Sequence, residues 1–182
     1  MNDIYPDKPQ KDIQMVKNLN EALQHVLENL DEPITAEHIK QVNKAVMFSL
    51  HRHAGKYKIT QNRIQGNPDF KVASPSQVPG LVDEFCEYLR KIKSPADCLD
   101  KLGYIHNQLQ YIHAFADGNS RTTRMILNWI MMKYRLPIIV VKMGCFNEYM
   151  GLTKLSRVRN DNLLTFLLWR VMLHESHHRK NL

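Results

Sequence analysis

Cysteine is scarce in this sequence, and the few that occur lie far apart. The chain of 182 residues contains three, Cys86, Cys98 and Cys145, with no C-x-x-C pair. An odd number of widely spaced cysteines excludes a disulfide framework and indicates a reducing compartment. We therefore expect a cytoplasmic protein, or one delivered into a host cytosol by a specialised secretion system.

Long apolar runs are also absent. The longest, at about 125–132 and 136–141, are too short to cross a bilayer, and the first residues contain no apolar region typical of a Sec signal. We therefore expect no membrane partner. Internal repeats and low-complexity segments are missing too, and 182 residues of which 43% are hydrophobic suit one domain.

Acidic residues are fewer than basic residues in this chain. The formal net charge is +7 and the sequence pI is about 9.3, which favours an anionic partner such as a nucleotide or an acidic protein. The basic residues are dispersed, without a stacking pattern of aromatic and basic residues or a helix-turn-helix motif, so nucleic acid is not expected as a partner. Two lysines, Lys56 and Lys58, are expected at the surface.

Hydrophobic residues recur at spacings of three and four, which predicts an all-α fold. The first stripe contains Ile13, Val16 and Leu19. Helices are expected at about 11–30, 36–53, 79–92, 95–113, 120–134, 147–156 and 160–174. Between the second and third of these, Gly, Pro, Asn and Ser residues predict an irregular loop that holds a small β-hairpin.

The most informative segment, residues 113–124, reads HAFADGNSRTTR. A histidine, His113, ends one predicted helix, and a short acidic loop leads into the next. A helix N-terminus binds anions through its unpaired N–H groups and its dipole, and Gly118 allows a close backbone approach there. Arg121 and Arg124 share one face of the first turn, where forked donors can hold phosphate oxygens.

The same segment carries a candidate base and a candidate metal ligand. His113 is able to take a proton from a hydroxyl near neutral pH, and Asp117 offers the hard oxygen that Mg²⁺ prefers. Phosphates, metal and base would therefore converge on one small volume, which indicates phosphoryl or nucleotidyl transfer.

This segment resembles the signature of the Fic family, H-P-F-x-(D/E)-G-N-G-R-x-x-R. Seven positions match, namely His113, Phe115, Asp117, Gly118, Asn119, Arg121 and Arg124. Further similarity runs from about His53 to Leu168. Residues 54–58 resemble A-G-x-(Y/F)-R, with Lys58 at the place of the arginine, and Glu148-Tyr149 resembles the end of R-x-E-Y.

The resemblance implies a Fic-type helical bundle with a small β-hairpin flap, at about residues 57–66, before the central helices. We expect N-terminal helices at 1–53 packed on a Fic core at 54–174, with a frayed tail at 175–182, all in one domain. It also implies transfer of AMP from ATP, with Mg²⁺, to a Ser, Thr or Tyr hydroxyl of a target protein.

The resemblance assigns roles to individual residues. His113 would be the catalytic base, Asp117 the metal ligand, and Phe115 an anchor of the loop in the core. The nucleotide-binding residues would be Gly118, Asn119, Ser120, Arg121, Arg124 and Tyr149. The flap would dock the target by strand addition through Arg63, Ile64, Gln65 and Gly66.

Several positions depart from the family pattern. Ala114 replaces proline, and Ser120 replaces a glycine; if that position requires a left-handed backbone, serine costs about 1 kcal/mol or more. Relatives of the Doc branch carry lysine there and act as kinases, so a Doc-like phosphotransferase stays open. Phe146 replaces an arginine of the family's nucleotide pocket, and Met150 and Arg157 replace a tyrosine and an asparagine of some relatives. Ser120, Phe146 and Met150 together leave open a catalytically impaired module that binds nucleotide or a partner protein.

Many relatives restrain themselves through an inhibitory helix with a Ser or Thr four residues before a glutamate. None of the glutamates in this chain is preceded in that way. The resemblance therefore implies restraint by a partner such as a separate antitoxin, by oligomerisation, or no restraint.

Overall fold

The computed structural model describes residues 8–64, 66–153, 156 and 158–180, with side chains over 9–64, 66–153, 156 and 158–174. In these ranges the regular structure is helical, and the β structure is one isolated bridge. The helices are α1 (Lys8–Glu28), α2 (Ala36–Val46), α3 (Val78–Arg90), α4 (Pro95–Asp100), α5 (Leu102–Ile112), α6 (Asn119–Lys133), α7 (Met143–Leu152) and α8 (Asp161–Lys180). The predicted all-α fold is confirmed.

Helices α5 and α6 form the centre of the bundle. α5 packs against both α6 and α8, and α6 also packs against α2. Ile126, Leu127 and Trp129 of α6 are almost completely buried, as its apolar composition predicts. Because the loop between α5 and α6 carries residues 113–118, both ends of that loop are anchored in the core.

The first helix packs through a face that shares Val26 with the predicted stripe but leaves the start of that stripe exposed. Its buried residues are Asn18, Ala22 and Val26, while Ile13 and Val16 are 57% and 69% exposed. Asn18 donates to the carbonyl oxygens of Val46 and Phe48 at 3.1 and 2.8 Å, which fixes α1 on the end of α2. The small Ala22 permits the close approach, so the rotation of α1 follows fit and hydrogen bonding rather than hydrophobicity alone.

Four of the predicted helices differ from the observed ones by four residues or more, or by a break. α8 runs to Lys180, six residues past its predicted end, so residues 175–180 of the expected frayed tail are helical. α2 ends at Val46, before Ser49 takes a left-handed backbone with φ 57°, and does not reach residue 53. The helix expected at 95–113 is divided into α4 and α5 by a break at Lys101. α7 begins at Met143, four residues before the predicted start at residue 147, and ends earlier.

The predicted β-hairpin is absent from the described residues. The segment forms one antiparallel bridge, between Tyr57 and Phe115, and residues 59–64 have no regular structure. Side chains hold the segment instead: Gln61 donates to the Val72 carbonyl at 3.1 Å, and Asn62 donates to the Phe115 carbonyl at 2.9 Å. The chain is therefore fastened to its neighbours one contact at a time, without a strand ladder.

None of the helices in the described part of the chain is long and apolar enough to cross a lipid bilayer.

Candidate active site

His113 caps the C-terminal end of α5 in a left-handed conformation, with φ 46° and ψ 55°. Its N–H donates to the Leu109 carbonyl at 3.0 Å, and its side chain is 8% exposed. A left-handed backbone costs a non-glycine residue about 1–2 kcal/mol, so neighbouring contacts must maintain it. The conformation turns the chain sharply from α5 into the loop.

The loop after His113 is closed by a reciprocal pair of hydrogen bonds. The Phe115 N–H donates to Asn119 Oδ1 at 2.9 Å, and Asn119 Nδ2 donates back to the Phe115 carbonyl at 2.7 Å. Phe115 itself is 2% exposed, which agrees with its expected role as an anchor. Because the Asn119 side chain is engaged in shaping the loop, its backbone N–H is the group left to contact a nucleotide.

Gly118 stands immediately before α6 and has φ 79°. A Cβ at this position would lie 2.6 Å from Cγ and Sδ of Met47, so both the backbone angle and the space require glycine. Asn43 of α2 supports the turn, because its Nδ2 donates to the Asp117 carbonyl and to Thr122 Oγ1, both at 3.1 Å.

Ser120 lies in the first turn of α6 and has no left-handed backbone. The strain that a left-handed position would impose on serine is therefore absent. The Ser120 hydroxyl points towards Gln110 Oε1, at 3.5 Å. Serine at this position is compatible with the helix start that the motif requires.

The charged groups of the motif gather around that helix start. Arg121 Nη2 lies 3.8 Å from Asp117 Oδ1. The other terminal nitrogen of this guanidinium, Nη1, is buried and has no hydrogen-bond partner among the described residues. A buried donor without a partner costs about 1–3 kcal/mol, so Arg121 is prepared for an anionic ligand.

A buried polar pair stands behind Arg124. His106 Nε2 and the Tyr149 hydroxyl are 2.7 Å apart, and the positive charge of Arg124 acts on the Tyr149 hydroxyl. Burial lowers the pKa of His106 to about 3, so its imidazole is neutral at physiological pH. The neutral Nε2 can accept the Tyr149 proton, which leaves the lone pairs of the Tyr149 oxygen available to the charge of Arg124.

The motif, α7 and the predicted flap surround one cavity of about 850 Å³. Its wall includes most of the predicted site residues, namely Arg63, Ile64, His113, Asp117, Gly118, Asn119, Ser120, Arg121, Arg124 and Tyr149. Phe146 and Met150 line it as well, from α7, and Met15 from α1. Gly66 is not part of the wall, and Gln65 and Arg157 lie outside the described residues.

Asp117 is the carboxylate of this cavity that suits a metal ion. Its side chain is 59% exposed, and its Oδ1 accepts the Gly118 N–H at 2.5 Å. No cluster of three or more metal-ligating side chains occurs in the described part of the chain. Mg²⁺ commonly binds through one or two carboxylates together with substrate phosphates, so a single aspartate beside a phosphate site fits this ion.

Three residues that support the site escape the sequence reasoning. Asn43 is 1% exposed and His106 is 0% exposed. The signal in the sequence that could have identified each of them is a polar residue among the apolar residues of a helix. Lys58 was expected at the surface but is 3% exposed, because the Tyr57–Phe115 bridge draws its segment against the motif loop.

Comparison with known proteins identifies the family to which this site and fold belong. The Fic/DOC family model matches residues 33–131, which is more than half of the chain. Protein adenylyltransferase Fic of Nematostella vectensis is 28% identical over 141 residues, covering 74% of this chain and 32% of that protein. This chain spans about a third or less of the curated relatives that it matches.

Two solved structures show the same fold. A fragment of Fic-1 from Caenorhabditis elegans has a TM-score of 0.84 and 20% identity, over 98% of this chain and 54% of that one. IbpAFic2, in complex with adenylylated Cdc42, has a TM-score of 0.72 and 16% identity, over 93% and 58%. With its family model, its fold and its motif in agreement, this chain belongs to the Fic/DOC family.

Proposed function

We propose that this protein transfers AMP from ATP to a Ser, Thr or Tyr hydroxyl of a target protein. The observation that carries the proposal is the convergence of a histidine, a carboxylate and an unpartnered buried guanidinium nitrogen on one cavity at a helix N-terminus. A cavity of about 850 Å³ also lies within the range of nucleotide-sized sites.

His113 would accept the proton of the target hydroxyl. The hydroxyl oxygen then forms a bond to the α-phosphorus of ATP, the bond from that phosphorus to the β-bridging oxygen breaks, and pyrophosphate leaves with the electron pair. A positioned base contributes about 10²- to 10⁴-fold to such a step. The rest of the acceleration would come from placing the two reactants together.

The phosphates would be held by the start of α6. Gly118, Asn119 and Ser120 offer backbone N–H groups there, and Arg121 and Arg124 supply forked donors. Asp117 would hold a Mg²⁺ ion, which neutralises phosphate charge when bound. Tyr149 would act by orienting Arg124.

The relatives support the kind of reaction and not a particular target. Their names describe protein adenylyltransferases, and adenylylated Cdc42 is the partner in one neighbouring structure. The segment with Arg63, Ile64, Gln65 and Gly66 would dock a hydroxyl-bearing target. Activity would be restrained by a separate antitoxin or other inhibitory partner, by oligomerisation, or not at all, since no glutamate of this sequence lies in the self-inhibitory pattern.

The domain organisation is part of the proposal. Helices within 1–53 would belong with a core at 54–174 in one domain, since α1 and α2 pack on the same core as α6. We also propose action in a cytosol, of the producing cell or of a host.

The test is a transfer assay with ATP labelled at the α- or the γ-phosphate, Mg²⁺ and cell lysate. Wild type, His113→Ala and the control His53→Ala, whose histidine lies outside the cavity wall, are compared. We expect α-label on a protein from wild type and control, and its loss in His113→Ala. Transfer of γ-label alone would assign a Doc-like phosphotransferase, and ATP binding without any transfer would indicate a non-catalytic module.

A further inference from the structure

Lys58 contacts the motif loop on both sides of His113. Its backbone N–H donates to the Ala114 carbonyl at 2.9 Å, and its side-chain Nζ donates to the Ile112 carbonyl at 3.4 Å. One residue therefore bonds the carbonyl groups of the residues before and after the histidine. The adjacent Tyr57–Phe115 bridge holds the same segment in register.

The residue between those two carbonyls has the strained backbone. His113 is one of three non-glycine residues with positive φ in the described part of the chain, and the only one of them in the motif. Its conformation persists because surrounding contacts determine it. Lys58 supplies two of these contacts from a separate segment of the chain.

We propose that Lys58 is a positioning residue, which holds His113 in its left-handed conformation, and that its ammonium form does so more strongly than its amine form. The effect on turnover rests on the proposed function; the effect on the His113 ring does not.

Electrostatics explains why the ammonium form of Lys58 should hold the Ile112 carbonyl more strongly than the amine form. The Ile112 carbonyl belongs to the last turn of α5, where the helix dipole favours a cation. A hydrogen bond from an ammonium group is about twice as strong as one from a neutral donor. Loss of the proton would therefore loosen the contact before His113 and leave the backbone contact after it intact.

The ammonium is poised to lose its proton in an accessible pH range. Burial lowers the pKa of Lys58 to about 8, and no neighbouring charge contributes to that shift. The ionisable groups on the surrounding elements are His113 at the end of α5 and, around the adjacent Tyr57, Glu37 and Lys40 of α2 and Asp83 and Cys86 of α3. Because the pKa is lowered, the charged form prevails below about pH 8 and is lost as the pH rises through that value.

The first test observes the histidine directly. The Hε1 resonance of His113, assigned by its absence from His113→Ala, is followed by NMR from pH 5 to 10. We expect an inflection near pH 8 in wild type that Lys58→Arg lacks, since arginine remains charged throughout. A wild-type curve without that inflection, or one that Lys58→Arg reproduces, would overturn the proposal.

The second test uses the kinetics of label transfer over the same pH range. We expect kcat of wild type to fall about fivefold to tenfold through pH 8 with KM for ATP unchanged, and Lys58→Arg to remove the fall. The matched control is Lys56→Arg, an exposed lysine two residues away, which should keep the fall. A fall that Lys58→Arg retains would contradict the positioning role.

The two tests distinguish failure of the proposed function from failure of the proposed role of Lys58. Absence of transfer at every pH would refute the proposed function, while the NMR titration would still decide the role of Lys58. An NMR inflection with pH-independent turnover would refute only the effect of Lys58 on catalysis.

Discussion

The two walls of the cavity are built differently. The wall at residues 113–120 is fastened by hydrogen bonds from two separate segments, through Asn43 and Lys58, and by Asn119 within the wall itself. The opposite wall, α7, contributes one buried residue, Tyr149, while its Phe146 is 40% exposed. The first wall matches the family signature except at Ala114 and Ser120, while the second departs from the family's nucleotide pocket at Phe146 and Met150.

This difference separates two tasks in the site. Transfer requires the histidine, the helix start and the arginines in fixed positions, so small displacements there reduce the rate steeply. The α7 wall would contact the rest of the nucleotide, where substitution changes affinity and preference more than rate. Substitutions at the two walls should therefore have unequal effects, and the following predictions test this from the largest effect to the smallest.

Gly118→Ala should have the largest effect. The new Cβ would clash with Met47 at 2.6 Å and would need a left-handed backbone. We expect transfer to fall by at least about 100-fold and the free energy of unfolding to fall by about 2–3 kcal/mol. Denaturant unfolding and label transfer measure the two quantities. Gly144→Ala in α7 is the control, because a Cβ there meets nothing within 4 Å; equal losses in both variants would remove the distinction between the walls.

Tyr149→Phe should weaken nucleotide binding by about tenfold, since Arg124 loses the favourable interaction of its charge with the Tyr149 hydroxyl. The variant also leaves His106 Nε2 buried without its partner, so the free energy of unfolding should fall by about 1–2 kcal/mol. Calorimetry with a non-hydrolysable ATP analogue gives the affinity. Unchanged affinity would show that Tyr149 does not position Arg124.

Phe146→Ala should raise KM for ATP by about threefold and leave kcat unchanged, because it removes contact area that is the same in the ground and transition states. The comparison variant is Phe166→Ala, which truncates an exposed phenylalanine of α8 outside the cavity wall. Steady-state kinetics of label transfer distinguishes the two parameters. A fall in kcat equal to that of a motif variant would show that α7 takes part in the chemical step.

Ser120→Gly should have the smallest effect. Serine occupies a helical position without backbone strain, so glycine would relieve no strain there. Glycine in a helix instead lowers the free energy of unfolding by about 0.5–1 kcal/mol. We expect the transferred group to remain AMP and the rate to change by less than about threefold. A gain of tenfold or more in α-label transfer would show instead that the serine impairs the wild-type site.

The motif was predictable because its physics is local. A histidine at a helix end, a glycine before the next helix and two arginines one turn apart can be read from the sequence, and their resemblance to the Fic signature assigns their roles. Asn43, Lys58 and His106 were missed because their roles depend on tertiary contacts with segments far away in the sequence. Of these, Lys58 was assigned to the surface from its residue type, although it is buried.

The errors in the fold have the same origin. Hydrophobicity predicts a buried stripe on α1 that begins at Ile13, but the helix docks through Asn18, Ala22 and Val26 and leaves Ile13 and Val16 exposed. The segment expected to be a hairpin is fixed by the side chains of Gln61 and Asn62. Packing and single side-chain contacts decide such details, and residue patterns do not encode them.

The most direct test of the proposed chemistry is a crystal structure of this chain with Mg²⁺ and a non-hydrolysable ATP analogue. We expect the α-phosphate to lie beside His113, with the β- and γ-phosphates against Arg121, Arg124 and the start of α6. A γ-phosphate beside His113, with the nucleotide reversed, would contradict AMP transfer and place the chain with the kinases.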